Sequence, residues 1–266
     1  MLRKSLSLLL FISLALSFGI SSAGLFDGGD QVVETMGTGE VNWSANVIRS
    51  VGSGAPSPDA PNVAVARLGA ERAAKLDAMR NLLETVKGVH IDSQTTVVNF
   101  TTQSDSINSR VEGIVKGARV VKTKYLSDGG VEVIIEVPIT GGLADSVYGN
   151  IPTLGAQAQA LPREGTGVRP AMSPKIVDED GKEVYGSAFV SREFAIKQGI
   201  VGYAKDVNAA KQNERVTANP IVVKGLKTTG SGGSDIVISN ADAAGLRDVS
   251  KNLSFLEQTR VLVIVD

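Results

Sequence analysis

The chain contains no cysteine, although it begins like a protein that is exported from the cytoplasm. Arg3 and Lys4 give a basic start, residues 6–20 are apolar apart from small residues, and Ser21-Ser22-Ala23 resembles a cleavage site. This order predicts a secretory signal peptide over residues 1–23, because the apolar run is too short for a retained membrane helix. An exported fold without disulfides must be held together by apolar burial alone.

Composition narrows the classes of protein to which the chain can belong. The 266 residues carry a net charge of −1, so nothing indicates binding to nucleic acid. The absence of cysteine excludes thiol catalysis and thiolate metal sites. His90 is the single histidine, which excludes a zinc site with several histidine ligands. The length suffices for one large domain or two ordinary ones.

The first half of the chain predicts strands on both sides of a long helix. Residues 31–44 alternate like a half-buried strand with a break at Gly37-Thr38-Gly39, and residues 50–61 have the Gly, Ser and Pro content of a linker. Residues 62–87 predict a helix that Asn62 caps and Gly88 ends. The expected buried stripe of this helix consists of Val65, Leu68, Leu76, Met79, Leu83 and Val86.

A second helix and a hairpin follow. Residues 89–100 have the composition of a strand, and Ser104 or Asp105 is placed to cap a helix that ends at Gly117. Residues 118–126 and 131–138 predict two strands joined by the turn Ser127-Asp128-Gly129-Gly130. This β-α-β-α-β-β order predicts an antiparallel sheet backed by helices.

Residues 141–167 predict a linker, and residues 168–266 predict a second domain. The expected fold class is α+β, with two helix-backed, mainly antiparallel sheet domains over residues 24–140 and 168–266. In the second domain we expect a hairpin at 175–185, a helix capped by Ser191 that carries Tyr203, and a further helix at 208–218. Strands are expected at 221–226 and 235–239, a helix followed by a loop at 241–256, and an interior strand at 260–265.

His90, Asp92 and Trp43 are the nearest approach to a reactive site. A histidine beside an aspartate can act as a base with its orienting carboxylate, and an exposed tryptophan can stack on a sugar. A packed or solvated histidine and a packing tryptophan explain the same residues.

Other polar motifs also have a structural explanation beside the functional one. Asp178-Glu179-Asp180 suits a calcium loop or an acidic turn, and Glu132 and Glu136 lie about 13 Å apart on one strand face, too far for a glycosidase pair. Gly37-Thr38-Gly39 and Gly165-Thr166-Gly167 suit a phosphate cradle or a turn. Ser191 suits a helix cap better than a nucleophile. We therefore assign no catalytic, cofactor-binding or metal-binding residue.

Several short motifs carry a family resemblance. These are Gly39-Glu40-Val41, the Ala-rich helix at 64–86, Gly88-Val89-His90-Ile91-Asp92-Ser93, Gly113-Ile114-Val115-Lys116-Gly117-Ala118 and Asp128-Gly129-Gly130-Val131-Glu132-Val133. Over residues 31–140 the chain resembles the FlgP-like outer-membrane lipoproteins and the N-terminal domain of the flagellar assembly protein FlgT. Residues 168–266 are similar to a C-terminal region of longer family members.

The resemblance implies a non-enzymatic protein of the periplasm, associated with the outer membrane or with flagellar basal-body structures. Its partners would be other envelope or basal-body proteins or further copies of the chain, with no nucleic acid and no cofactor. Gly24 follows Ala23 where the family has a lipidated cysteine, so we expect neither a lipid anchor nor a transmembrane segment after processing. The alternative is a periplasmic small-ligand binder, cell-wall binder or hydrolase that uses His90, Asp92 and Trp43.

Overall fold

The computed structural model describes residues 25, 29–148, 167–216, 220–250 and 255–265. The predicted signal peptide, most of the predicted linker and the Gly165-Thr166 pair lie outside these residues. Helices and sheets occur in both halves, and most of the strand pairs are antiparallel, which confirms the α+β class.

The N-terminal half is a five-stranded antiparallel sheet with helices packed on one face. Its elements are β1 (Val33–Met36), β2 (Gly39–Asn42), β3 (Val47–Gly54), α1 (Val63–Gly88), α2 (Val97–Gln103), α3 (Asp105–Lys116), β4 (Arg119–Tyr125), β5 (Val131–Pro138) and α4 (Gly142–Tyr148). The strand order is β1-β2-β3-β5-β4, so the backed antiparallel sheet and the hairpin over residues 118–138 are confirmed. The three strands that precede α1 make the element order different from the predicted one.

Helix α1 lies directly on the backbone of β3. Its sheet-facing side is built from Ala70, Ala74 and Ala78, all fully buried. A Cβ on Gly52 would lie 2.6 Å from the Ala78 Cα, and a Cβ on Gly54 would lie 2.7 Å from the Ala74 nitrogen. The two glycines are therefore required by the close approach of helix and strand. The prediction of a linker over residues 50–61 is wrong for residues 50–54, because the Gly and Ser residues here form the end of a central strand.

The prediction of which face of α1 is buried is also wrong in part. The stripe from Val65 to Val86 lies mostly on the side away from the sheet. Met79 and Leu83 of this stripe pack against the core, where α1 contacts α2 and α3. Towards the N-terminus this cover ends, and Leu68 and Leu76 are 55% and 65% exposed.

The predicted strand at 89–100 is wrong as well. One isolated bridge joins His90 to Thr96, and Val97 then begins α2. Val97 is fully buried, so packing outweighs the β-propensity of the Thr and Val residues around it. The cap of α1 is confirmed, since the Asn62 side chain accepts a hydrogen bond from the Val65 N–H at 2.9 Å.

The C-terminal half holds two small sheets. Its elements are β6 (Ile176–Val177), β7 (Glu183–Tyr185), a 3₁₀ turn (Ser187–Phe189), α5 (Arg192–Gln198), β8 (Gly202–Ala204), α6 (Val207–Gln212), β9 (Gly225–Thr229), β10 (Asp235–Ile238), α7 (Asn240–Ser250) and β11 (Leu262–Ile264). The first sheet has the order β7-β6-β10-β9, and the second pairs β11 with β8 in parallel.

Three predictions for this half need correction. Tyr203 belongs to strand β8 rather than to the helix after Ser191, and α6 is shorter than predicted. The strand predicted at 221–226 begins only at Gly225. Strand β11 is an edge strand of a two-stranded sheet and not an interior strand. Val263 and Ile264 are nonetheless buried, because the core and α6 cover them.

The contact of α1 with β3 gives a stability prediction. Gly52→Ala should lower the free energy of unfolding by about 3 kcal/mol, because the new methyl group meets helix backbone that cannot move aside alone. Gly69→Ala on the exposed side of α1 is the matched control. A Cβ there meets nothing within 4 Å, and the variant should be more stable by about 1 kcal/mol. Urea denaturation of both variants measures the difference, and equal effects would contradict the close contact.

Candidate functional site

The loop from His90 to Ser93 belongs to the N-terminal half and contacts the C-terminal half through hydrogen bonds. It begins where α1 ends, and the side chains of Val89 and Ile91 are fully buried. The Asp92 carboxylate accepts hydrogen bonds from the Gln94 and Thr95 N–H groups at 2.7 and 2.8 Å, which closes a tight Asx turn. The loop therefore presents a fixed row of backbone carbonyl groups.

These carbonyl groups accept hydrogen bonds from the C-terminal half. The Met172 N–H donates to the His90 oxygen at 2.9 Å, and the Ser173 N–H donates to the Ile91 oxygen at 2.6 Å. The Ser93 oxygen accepts from the Gly232 N–H at 2.5 Å and from the Ser231 hydroxyl at 2.8 Å. At this loop the halves thus meet through main-chain groups.

A buried polar pair completes this junction. The Ser93 hydroxyl donates to Asp235 Oδ2 at 2.5 Å, and Asp235 Oδ1 accepts from the Lys175 N–H at 2.9 Å. Burial raises the pKa of Asp235 although these hydrogen bonds oppose the rise. Gly230 has φ +81° at this point, and a side chain there would collide with Ser93. Asp235 is therefore a junction residue, and no motif around it in the sequence points to this role.

Trp43 packs inside the protein and is only 2% exposed. Its ring meets the ring of Tyr203 edge to face with centroids 5.7 Å apart, and its indole N–H donates to Glu34 Oε2 at 3.2 Å. A sugar has no access to this face, so the interpretation of Trp43 as a sugar platform is wrong. The packing interpretation is confirmed.

His90 and Asp92 are neighbours in the loop without a hydrogen bond between their side chains in the described part of the chain. Asp92 uses its carboxylate in the turn, and the buried Nδ1 of His90 has no partner among the described residues. Burial lowers the pKa of His90, and the charge of Arg169 lowers it further. The expected arrangement of a base and its orienting carboxylate is therefore not formed.

The acidic run at Asp178-Glu179-Asp180 holds the start of α7. Asp178 is 2.7 Å from the Arg247 guanidinium, Glu179 accepts from the Asn240 N–H at 3.0 Å, and Asp180 accepts from the Asn240 amide at 3.1 Å. These carboxylates are thus occupied by the protein, and the turn interpretation is confirmed. Within the described ranges no three acidic, histidine or cysteine residues converge as a metal site would require.

Glu136 belongs to a row of alternating charges across the outer face of the N-terminal sheet, the face opposite α1. The row runs through Glu40, Arg49, Glu136 and Arg119, which are cross-strand neighbours on β2, β3, β5 and β4. Both arginines lie 2.7 Å from the Glu136 carboxylate. Burial alone would raise the pKa of Glu136, but the two guanidinium groups outweigh it and lower that pKa. Glu136 is therefore a structural carboxylate.

The remaining predicted motifs have local structural roles. Gly37 has φ +60° in the turn between β1 and β2, which confirms the turn interpretation. The turn borders an open cavity of about 370 Å³ at the C-terminal end of α1, where the helix dipole disfavours a phosphate. Ser191 precedes α5 without a side-chain capping bond. No helix in the described ranges has the length and apolarity needed to cross a bilayer.

Arg215 is a half-buried residue that the sequence offered no signal to find. Its guanidinium donates to the Gly199 and Thr259 carbonyls at 3.2 and 3.0 Å and to the Gln198 carbonyl. Two of these carbonyls lie at the C-terminal end of α5, where a cation is favoured. Burial lowers the pKa of Arg215, and nearby tyrosines oppose the change. The arginine therefore ties together three loops of the C-terminal half.

Two family models match different parts of the chain. Residues 39–138, from the start of β2 to the end of β5, match the model of the LPP20 lipoproteins. Residues 157–266 match the model of the second domain of Tp0624 from Treponema pallidum. No individual curated protein matches the chain. The N-terminal half is thus similar to a lipoprotein family, which confirms that part of the resemblance, while neither match is to FlgP or FlgT.

The position of His90 gives a pH prediction. Its pKa in the folded protein is below the ordinary value of 6.5, so the unfolded chain binds the proton more readily. The free energy of unfolding should therefore fall as the pH is lowered through about 6.5, until the pH reaches the folded pKa. Denaturant titrations between pH 5 and pH 8 measure this slope.

The variant His90→Gln is the control for that measurement, because His90 is the only histidine of the chain. Its slope near pH 6.5 should be shallower than that of the wild type. Equal slopes would show that His90 is not perturbed at the junction.

Proposed function

We propose that this protein is a non-enzymatic component of the cell envelope that takes part in the structure or assembly of a larger complex. It works by binding other proteins through exposed apolar and strand-edge surfaces. In this proposal it is periplasmic and reaches the outer membrane through its partners.

The uncovered half of the α1 stripe is the observation that carries the proposal. Val65, Leu68 and Leu76 are 45%, 55% and 65% exposed on the side of α1 away from the sheet. They continue the line of Met79 and Leu83, which are packed against the core. A row of large apolar side chains that extends beyond the part packed against the core is typical of a protein interface.

The match of residues 39–138 to the LPP20 lipoprotein model supports the same class of function. The proposal of a flagellar role is narrower and is supported by the resemblance of residues 31–140 to FlgP-like proteins and FlgT. The sequence has no cysteine to carry a lipid, so we propose partner proteins rather than acylation as the link to the membrane.

The residues that favoured an enzyme or a ligand binder make contacts inside the protein instead. Trp43 packs on Tyr203, Asp92 closes its own turn, and the His90 carbonyl binds Met172. Each has an internal role that explains its place in the chain. A protein-binding function therefore accounts for more of the molecule than a catalytic one.

A photo-reactive amino acid at Leu76 tests the proposal in living cells. Illumination should produce a discrete adduct with an envelope protein, because an interface residue is held against its partner. The same probe at the exposed Lys211 on α6 is the matched control and should give no adduct.

Fractionation of the same cells separates the parts of the proposal. A protein found in the cytosol with its leader attached, and without an adduct at Leu76, would overturn the envelope role. Absence from purified basal bodies, with the Leu76 adduct intact, would overturn only the flagellar part.

A further inference from the structure

Strand β4 is an edge strand that is exposed on both of its faces. It ends the order β1-β2-β3-β5-β4, and in the described part of the chain no strand pairs with its outer side. Six of its seven residues are exposed, and only Thr123 is half-buried. Native edges of this length are usually covered or blunted, since they are templates for a further strand.

The hairpin fixes which main-chain groups of β4 point outward. The Leu126 N–H donates to the Gly130 oxygen at 2.8 Å, so Leu126 directs its groups towards β5. Residues alternate in this respect along an antiparallel edge. Thr123 and Tyr125 therefore direct their N–H and C=O groups away from the sheet.

The side chains of β4 divide by chemistry between the two faces of the sheet. Arg119, Lys122 and Lys124 lie on the outer face of the sheet, the face opposite α1. Their cross-strand neighbours on β5 are Glu136, Ile134 and Glu132. Val120 and Tyr125 face the side of α1 and are 41% and 55% exposed. Arg119 lies 2.7 Å from Glu136 and Lys124 lies 3.5 Å from Glu132, so two of the three cations are already paired within the sheet. An added strand would thus find a positive row that has one cation in excess on one face, and apolar groups on the other.

Contacts with α1 hold this edge in place. The Tyr125 hydroxyl donates to Glu71 Oε2 at 3.2 Å, and the Arg67 guanidinium lies 5.5 Å from the centre of the Tyr125 ring. The strand is therefore ordered before a partner arrives, which lowers the entropy cost of binding.

Charge identifies the kind of strand that fits. Pairing β4 with β4 of a second copy would place the three cations of each strand on one face, and like charges opposite each other are destabilising. Lys122 has no ion pair among the described residues, since its cross-strand neighbour is Ile134. A strand with carboxylates on that face supplies the missing charge.

We infer that β4 binds an extended segment of another polypeptide in which acidic residues alternate with apolar ones. The segment adds as a sixth strand, with its carboxylates beside Lys122 and Lys124 and its apolar side chains beside Val120 and Tyr125. This deepens the proposed function, on which it rests, by naming the chemistry of a partner.

Binding of a labelled seven-residue peptide that alternates glutamate and valine tests the inference. The mature full-length protein should bind it, and should bind a lysine–valine peptide much more weakly. In the double variant Lys122→Glu/Lys124→Glu the preference should reverse, with affinity for the glutamate peptide reduced about tenfold. Fluorescence anisotropy measures both affinities.

Variants of Thr123 separate strand addition from simple charge attraction. Thr123→Pro removes an outward N–H group at an edge position that tolerates proline, and should abolish binding of the glutamate peptide. Thr123→Val keeps the main chain intact and should bind like the wild type. Circular dichroism establishes that both variants are folded.

Three outcomes would overturn the inference. They are equal affinity for the two peptides, a dimer of the protein that Thr123→Pro dissociates, and binding to phosphatidylglycerol vesicles without binding to the glutamate peptide. If the wild-type protein does not bind the glutamate peptide but still forms the Leu76 adduct in cells, this inference is wrong and the proposed function stands.

Discussion

The close contact between α1 and β3 is the constraint on which the other features of the N-terminal half depend. Alanine on the helix and glycine on the strand bring two backbones together, so the part of α1 over Gly52 and Gly54 carries no large side chain. Leu82 continues the row of alanines and is fully buried, whereas the other leucines of α1 are directed away from the sheet. Those near its C-terminus are covered by α2 and α3, and those near its N-terminus form an exposed surface. The close contact of α1 with β3 thus accounts both for the small side chains at the centre of this interface and for the exposed leucines of α1.

Local signals predicted where elements begin and end, because capping and turn chemistry involves neighbours in the chain. Asn62, Gly88 and the turn before β5 are examples. The orientation of α1 was not predictable from hydrophobicity, since an Ala–Gly contact carries little apolar signal. Val97 and strand β11 show the same limit: their burial is set by residues distant in sequence, which periodicity within a segment does not report.

The candidate site shows why reactive residue types alone predict function poorly. His90, Asp92 and Trp43 were selected for what their side chains can do in a cleft. Each lies instead at the junction of the two halves or closes a turn beside it. The sequence predicts β4 as a strand with cations and apolar residues. The position of β4 at the edge depends on the pairing order of the whole sheet, which the sequence of one strand does not report.

At the loop from His90 to Ser93, the junction uses peptide groups, through the carbonyls of His90, Ile91 and Ser93. Peptide groups are the same in every residue, so these main-chain hydrogen bonds do not depend on the side chains of the loop, although the Ser93 hydroxyl adds its own bond to Asp235. The small residues that let the chains approach, Gly230 and Gly232, leave no room for a side chain. Distant relatives could therefore keep this docking arrangement while sharing little more than a pattern of glycines, which sequence comparison would hardly detect.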